Sequence, residues 1–81
     1  MSVTGNELKG LLGEIGVRPA TAQAVDPAQP LLRQGLDSAD CPAFAALLEE
    51  RYGLDLEEQE SLSLRTLDDY AAYINAKKKG A

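Results

Sequence analysis

Apolar residues along the chain recur at helical intervals, and the two-residue alternation of half-buried strands is missing. Leu8, Leu11, Leu12 and Ile15 are three or four residues apart, which places them on one face of a first helix. Phe44, Leu47, Leu48 and Tyr52 do the same for a second helix predicted over roughly 38–52. Leu67, Tyr70, Ala71, Tyr73 and Ile74 supply the apolar face of a last helix. Between the second and last helices lies a short acidic stretch. A brief helix is expected there over about 57–62, with Leu56, Leu62 and Leu64 turned inward.

Polar punctuation fits these elements. Thr4 and Glu7 have the spacing of a capping box, and Val3 and Leu8 that of a hydrophobic staple. Gly16 and Gly53 are placed to end the first and second helices. Gly10 and Gly13 weaken the first helix by roughly 1 kcal/mol each relative to alanine. Thr66 can cap the last helix, and Asp68 and Asp69 suit the positive end of its dipole. Lys77, Lys78 and Lys79 suit its negative end and read as a solvated tail.

From 17 to 34 the chain reads as a long connector broken by Pro19, Pro27 and Pro30. Val25, Leu31 and Leu32 are expected to pin it to the core, with a helical turn at the two leucines. Pro42 complicates the start of the second helix, because it lacks an amide hydrogen and disfavours helix at Cys41. A helix that starts late, near Asp40, loses no hydrogen bond there; one that starts at Ser38 needs a distorted first turn. The sum is all-α: three main helices and one short one in a small four-helix bundle with a long first loop. We expect one domain over 1–81, with an ordered core over about 4–76 and a flexible basic tail over 77–81.

Composition narrows the function classes. The 81 residues are 44% hydrophobic and 26% charged, as expected for one small globular domain. No apolar run approaches the ~20 residues that a membrane span needs. The first residues lack the basic and apolar regions of a secretory signal, so a cytoplasmic chain is expected. Cys41 is the single cysteine and there is no histidine, which excludes an internal disulfide and argues against a metal cluster. It also removes the usual base of a serine or cysteine nucleophile, so a small serine hydrolase is disfavoured. No cation neighbours Cys41 in sequence, and it reads as a small buried residue rather than an acyl site.

The net charge is −5, but residues 37–60 alone carry −7. Such a field repels nucleic acid and attracts basic protein surfaces. At its edge stands Gly35-Leu36-Asp37-Ser38-Ala39-Asp40, with a hydroxyl where a loop becomes a helix. The residues alone leave two readings of Ser38 open: a helix N-cap, or a site of covalent modification.

The chain resembles acyl carrier proteins and related phosphopantetheine carrier domains. The likeness rests on Leu31-Leu32-Arg33-Gln34-Gly35-Leu36-Asp37-Ser38, on Leu48-Glu49-Glu50-Arg51-Tyr52 and on Leu67-Asp68-Asp69-Tyr70-Ala71-Ala72-Tyr73-Ile74. It spans almost the whole chain. The resemblance implies a 4′-phosphopantetheine arm, derived from coenzyme A, joined to Ser38 through a phosphodiester. The arm's thiol would hold an acyl group as a thioester for fatty-acid, polyketide or specialised lipid synthesis, or an aminoacyl group in a peptidyl carrier. It implies that a phosphopantetheinyl transferase supplies the catalysis, that Asp37 supports that reaction, and that the protein itself is not an enzyme. Partners would be acyl-transferring or synthase enzymes with basic docking patches, met by Ala39, Asp40, Ala43, Glu49 and Glu50 on a monomeric carrier. No nucleic acid is expected.

Three positions depart from the family pattern. Ala39 stands where Leu or Met usually follows the serine. Pro42 and Ala43 replace an apolar residue and a frequent Glu, and Gln34 replaces a frequent Leu. The small side chains Ala39, Ala43 and Ala46 predict a narrower partner set, and leave room beside the helix for an acyl chain. The rival class is an unmodified acidic adaptor that binds partners non-covalently.

Overall fold

A computed structural model describes residues 3–79, and at 58, 61, 62, 78 and 79 the backbone alone. Helix α1 (Gly5–Lys9) begins at Thr4, whose hydroxyl accepts the Glu7 N–H at 3.3 Å. The periodic stripe that predicts one longer first helix is divided. After Gly10 the chain tightens into a 3-10 turn over Leu12–Ile15, closed at the left-handed Gly16. Glycine weakens helical propagation and the tighter turn keeps Leu12 inside, so the apolar face survives the break.

The connector holds a helix that the sequence reading passes over. Helix α2 (Pro19–Ala24) has Pro19 at its first position. A proline there starts a helix rather than breaking one, since its missing N–H would be unpaired in any case. Ala22 on this helix is buried, as is Val25 just beyond it. The expected turn forms over Leu31–Arg33. Leu31 is fully buried, but Leu32 is 58% exposed and does not pin the connector to the core. Neighbours in a 3-10 turn diverge by about 120°, so both leucines cannot face inward.

Helix α3 (Asp40–Tyr52) takes the late start that Pro42 requires. Pro42 is its third residue, where the amide would have no partner within the helix. Helix α4 (Glu58–Ser63) is the short element, and α5 (Leu67–Lys79) closes the bundle. The last helix therefore continues into the stretch expected to be a tail, and Lys77 lies over the Tyr73 ring at 5.4 Å. Leu56 is buried and Leu64 half-buried, while the expected inward placement of Leu62 lies outside the described side chains.

Phe44 of α3 and Tyr70 of α5 meet edge to face at 5.2 Å in the middle of the core. Leu8, Leu12, Leu31, Leu48, Leu67 and Ile74 fill the space around them. The Asn75 side chain accepts the Val3 N–H at 2.7 Å and donates to the Val3 carbonyl at 2.9 Å, fastening the start of the chain to α5. Gly5 packs where α5 meets the connector. A side chain there would collide with the Asp68 carboxylate and lie 2.7 Å from Pro27. Among the described residues there is no strand, and no helix is long and apolar enough to cross a membrane.

Candidate functional site

Two supports fix the loop that leads to α3. Gly35 has φ +94°, a backbone region that side-chain-bearing residues rarely adopt, and it turns the chain out of the 31–33 turn. Leu36, next in line, is buried and anchors the loop to the core. Asp37, Ser38 and Ala39 are then presented to solvent. The Asp40 N–H donates to the Asp37 carbonyl at 3.0 Å, and the Asp40 carboxylate accepts the Asp37 N–H at 2.8 Å. These two bonds close a turn whose corners are Ser38 and Ala39.

The N-cap reading of Ser38 does not hold. The residue flanking α3 is Ala39, in a helical conformation, and no side chain caps this helix. The hydroxyl of Ser38 is thus spared a structural duty.

Ser38 also lines a cleft of about 500 Å³ together with Pro30, Leu32, Arg33, Cys41, Pro42, Leu64 and Arg65. Its walls are joined, because the Leu31 N–H donates to the Arg65 carbonyl at 2.9 Å. Cys41 is half-buried on this cleft. Burial, and then the neighbouring Asp40 charge, push its thiol above the ordinary range, so it is not primed as a nucleophile.

The other named residues are distributed along α3. Ala43 and Glu50 are exposed, and with Ala39 and Ala46 they form a stripe that begins beside Ser38. Asp40 is partly occupied by its bond to Asp37. Glu49 is half-buried, and its carboxylate accepts the Leu56 N–H at 3.2 Å, which makes it a brace for the loop after α3. Arg51, the single base of the acidic segment, is paired with Glu14 through two contacts of 2.6 and 2.8 Å. That pairing leaves the acidic face of α3 without a free cation of its own among the described residues.

Three site features escape the sequence reading. Arg33 stands in the 31–38 stretch and Arg65 outside any motif, and nothing in the sequence pairs two residues so far apart. Gln34 is noticed as a departure, yet its role depends on a loop that only the fold brings near: its side-chain amide bonds to Asp26, Gln29 and Pro30.

A family model described as a phosphopantetheine attachment site matches residues 6–74. The chain belongs to this family, and the domain is an attachment site for the 4′-phosphopantetheine prosthetic group, a carrier module built as a small all-α bundle. No curated protein matches it. The residues around the cleft fit such a group: an exposed hydroxyl at its mouth, two guanidinium groups for an anion, and leucine and proline side chains for an apolar stem.

Proposed function

We propose that Ser38 is the attachment residue and that the protein carries acyl intermediates as thioesters between enzymes without catalysing their conversion. The observation that carries this reading is the exposed turn. It holds the Ser38 hydroxyl clear of any capping role, at the mouth of a cleft and two residues before α3. The amides and dipole of a helix start favour an anion placed there.

Loading needs a transferase. The Ser38 oxygen would attack the phosphorus nearest the pantetheine of coenzyme A, forming a P–O bond as the bond to the nucleotide phosphate breaks. The nucleotide leaves as 3′,5′-adenosine bisphosphate, and the serine proton passes to a base of the transferase. Asp37, exposed one residue earlier, supports this step by presenting the turn and offering a carboxylate to the transferase. Once bound, the arm supplies a thiol for thioester exchange.

Partner enzymes with basic patches would meet Ala39, Ala43 and Glu50, with Asp40 and Glu49 adding negative field while bracing their loops. Ala39 in place of a bulky residue favours polyketide or specialised lipid enzymes over a general fatty-acid synthase. A cytoplasmic, monomeric carrier fits this role. The adaptor reading is supported by the same acidic face and is separated by one experiment. The purified protein is incubated with coenzyme A and a broad-range phosphopantetheinyl transferase, and its intact mass is measured. The carrier gains a phosphopantetheinyl increment that Ser38→Ala abolishes, whereas an adaptor gains none.

A further inference from the structure

We propose that the cleft beside Ser38 is a seat for the tether itself: Arg33 and Arg65 receive the phosphodiester on Ser38, and Leu32 and Leu64 receive the apolar stem behind it. This rests on the assignment of Ser38 as the attachment residue. Ser38 lines the cleft, so an anion joined to its oxygen starts at the mouth. Arg33 and Arg65 line the same cleft and form no ion pair among the described residues, where the one pair is Arg51 with Glu14. Asp69 lies near Arg65, but its carboxylate is engaged by the backbone N–H groups of Arg65 and Thr66.

The cleft also accounts for an apolar surface that the fold does not use. Leu32 is the large hydrophobic residue left exposed among the described residues, and it faces this space. The bond from Leu31 to the Arg65 carbonyl holds the two walls together, so the seat is formed before anything enters it. A tether held this way rests along the protein between deliveries instead of sweeping through solvent. Preformed charge and apolar contact on one path favour that resting state.

Isotope-labelled holo-protein, loaded enzymatically and verified by intact mass, tests the proposal by nuclear magnetic resonance. Nuclear Overhauser contacts are expected from the geminal methyl pair of the arm to the methyls of Leu32 and Leu64. Amide shifts on loading should extend to residues 31–33, 41 and 64–65. In the loaded R33Q/R65Q variant the contacts should be lost and the phosphorus resonance should move. Loaded wild-type protein with shifts confined to 37–40 and no such contacts overturns this inference alone, as do contacts that persist in R33Q/R65Q. Failure to load Ser38 overturns the attachment assignment and this inference with it.

Discussion

The Gln34 side chain clasps the backbone of Asp26 from both sides. Its carbonyl oxygen accepts the Asp26 N–H at 2.6 Å, and its amide nitrogen donates to the Asp26 carbonyl at 3.1 Å. The same nitrogen reaches the carbonyls of Gln29 and Pro30. Asp26 in turn accepts the Ala28 N–H with its own side chain. One amide thus folds the second half of the connector into a closed loop just before the Ser38 turn.

Gln34→Leu restores the residue frequent in the family but cannot make these bonds. We expect a loss of about 1–2 kcal/mol, since single hydrogen bonds contribute roughly 0.5–1.5 kcal/mol net and this loop is largely exposed. Urea unfolding measures the loss, and faster hydrogen exchange at the Asp26 amide should accompany it. An unchanged midpoint and unchanged exchange would remove Gln34 from this role.

The Tyr70 hydroxyl is buried without a hydrogen-bond partner in the core. Burial, with the neighbouring Cys41 and Asp69 charges, pushes its pKa up to about 12. Tyr70→Phe keeps the edge-to-face contact with Phe44 and removes the unsatisfied group, so it should stabilise the fold by about 1 kcal/mol. The pH dependence has a definite sign. The folded value lies above the ordinary value near 10, so the full stability of the wild-type fold is present below about pH 10. It falls as the pH rises towards about 12, by roughly 2–3 kcal/mol in all. Stability measured at pH 8 and pH 11 should fall more steeply for wild type than for Y70F. Parallel curves would show that the hydroxyl does not titrate as described.

Thr66 and Asp69 form a complete capping box at the start of α5. The Asp69 N–H donates to the Thr66 hydroxyl at 2.9 Å, and the Asp69 carboxylate accepts the N–H groups of Arg65 and Thr66 at 3.1 Å each. The Arg65 N–H is the largest cause that holds the Asp69 carboxyl below the usual range. A lowered folded value means that this support is present above the ordinary carboxylate pKa and disappears as pH falls through the folded one. Asp69→Asn should cost about 1 kcal/mol at neutral pH. It should also flatten the acid limb of the stability profile, and an unaltered acid limb would count against the assignment.

Ala39→Leu places a bulky apolar group beside Ser38 at an exposed corner. If partner choice turns on this position, kcat/KM with fatty-acid synthase enzymes should rise about tenfold, equivalent to roughly 1.4 kcal/mol of contact. Unchanged kinetics would show that Ala39 does not restrict the partner set.

Much of this was legible in the chain because local signals agree with the fold. Pro42 forces the late start of α3, Gly53 ends it, and Thr66 with Asp69 opens α5; each acts through its immediate neighbours. Pro19 misleads, because the same residue breaks a helix from within and starts one from its first position. Leu32 misleads because hydrophobicity does not report the pitch of a 3-10 turn. The cleft was not legible at all. Arg33 and Arg65 line one cleft only because the connector crosses to the α4–α5 link through the Leu31–Arg65 backbone bond, a long-range contact that no periodicity encodes.

Peptide mapping of the loaded protein locates the arm on the chain. Trypsin releases residues 34–51, in which Ser38 is the single hydroxyl-bearing side chain, since Thr and Tyr are absent, and Cys41 the single thiol. A phosphopantetheinyl increment is expected on this peptide, with fragment ions that place it on Ser38. An increment on Cys41, on another peptide, or on none after treatment with coenzyme A and an active transferase would contradict attachment at Ser38.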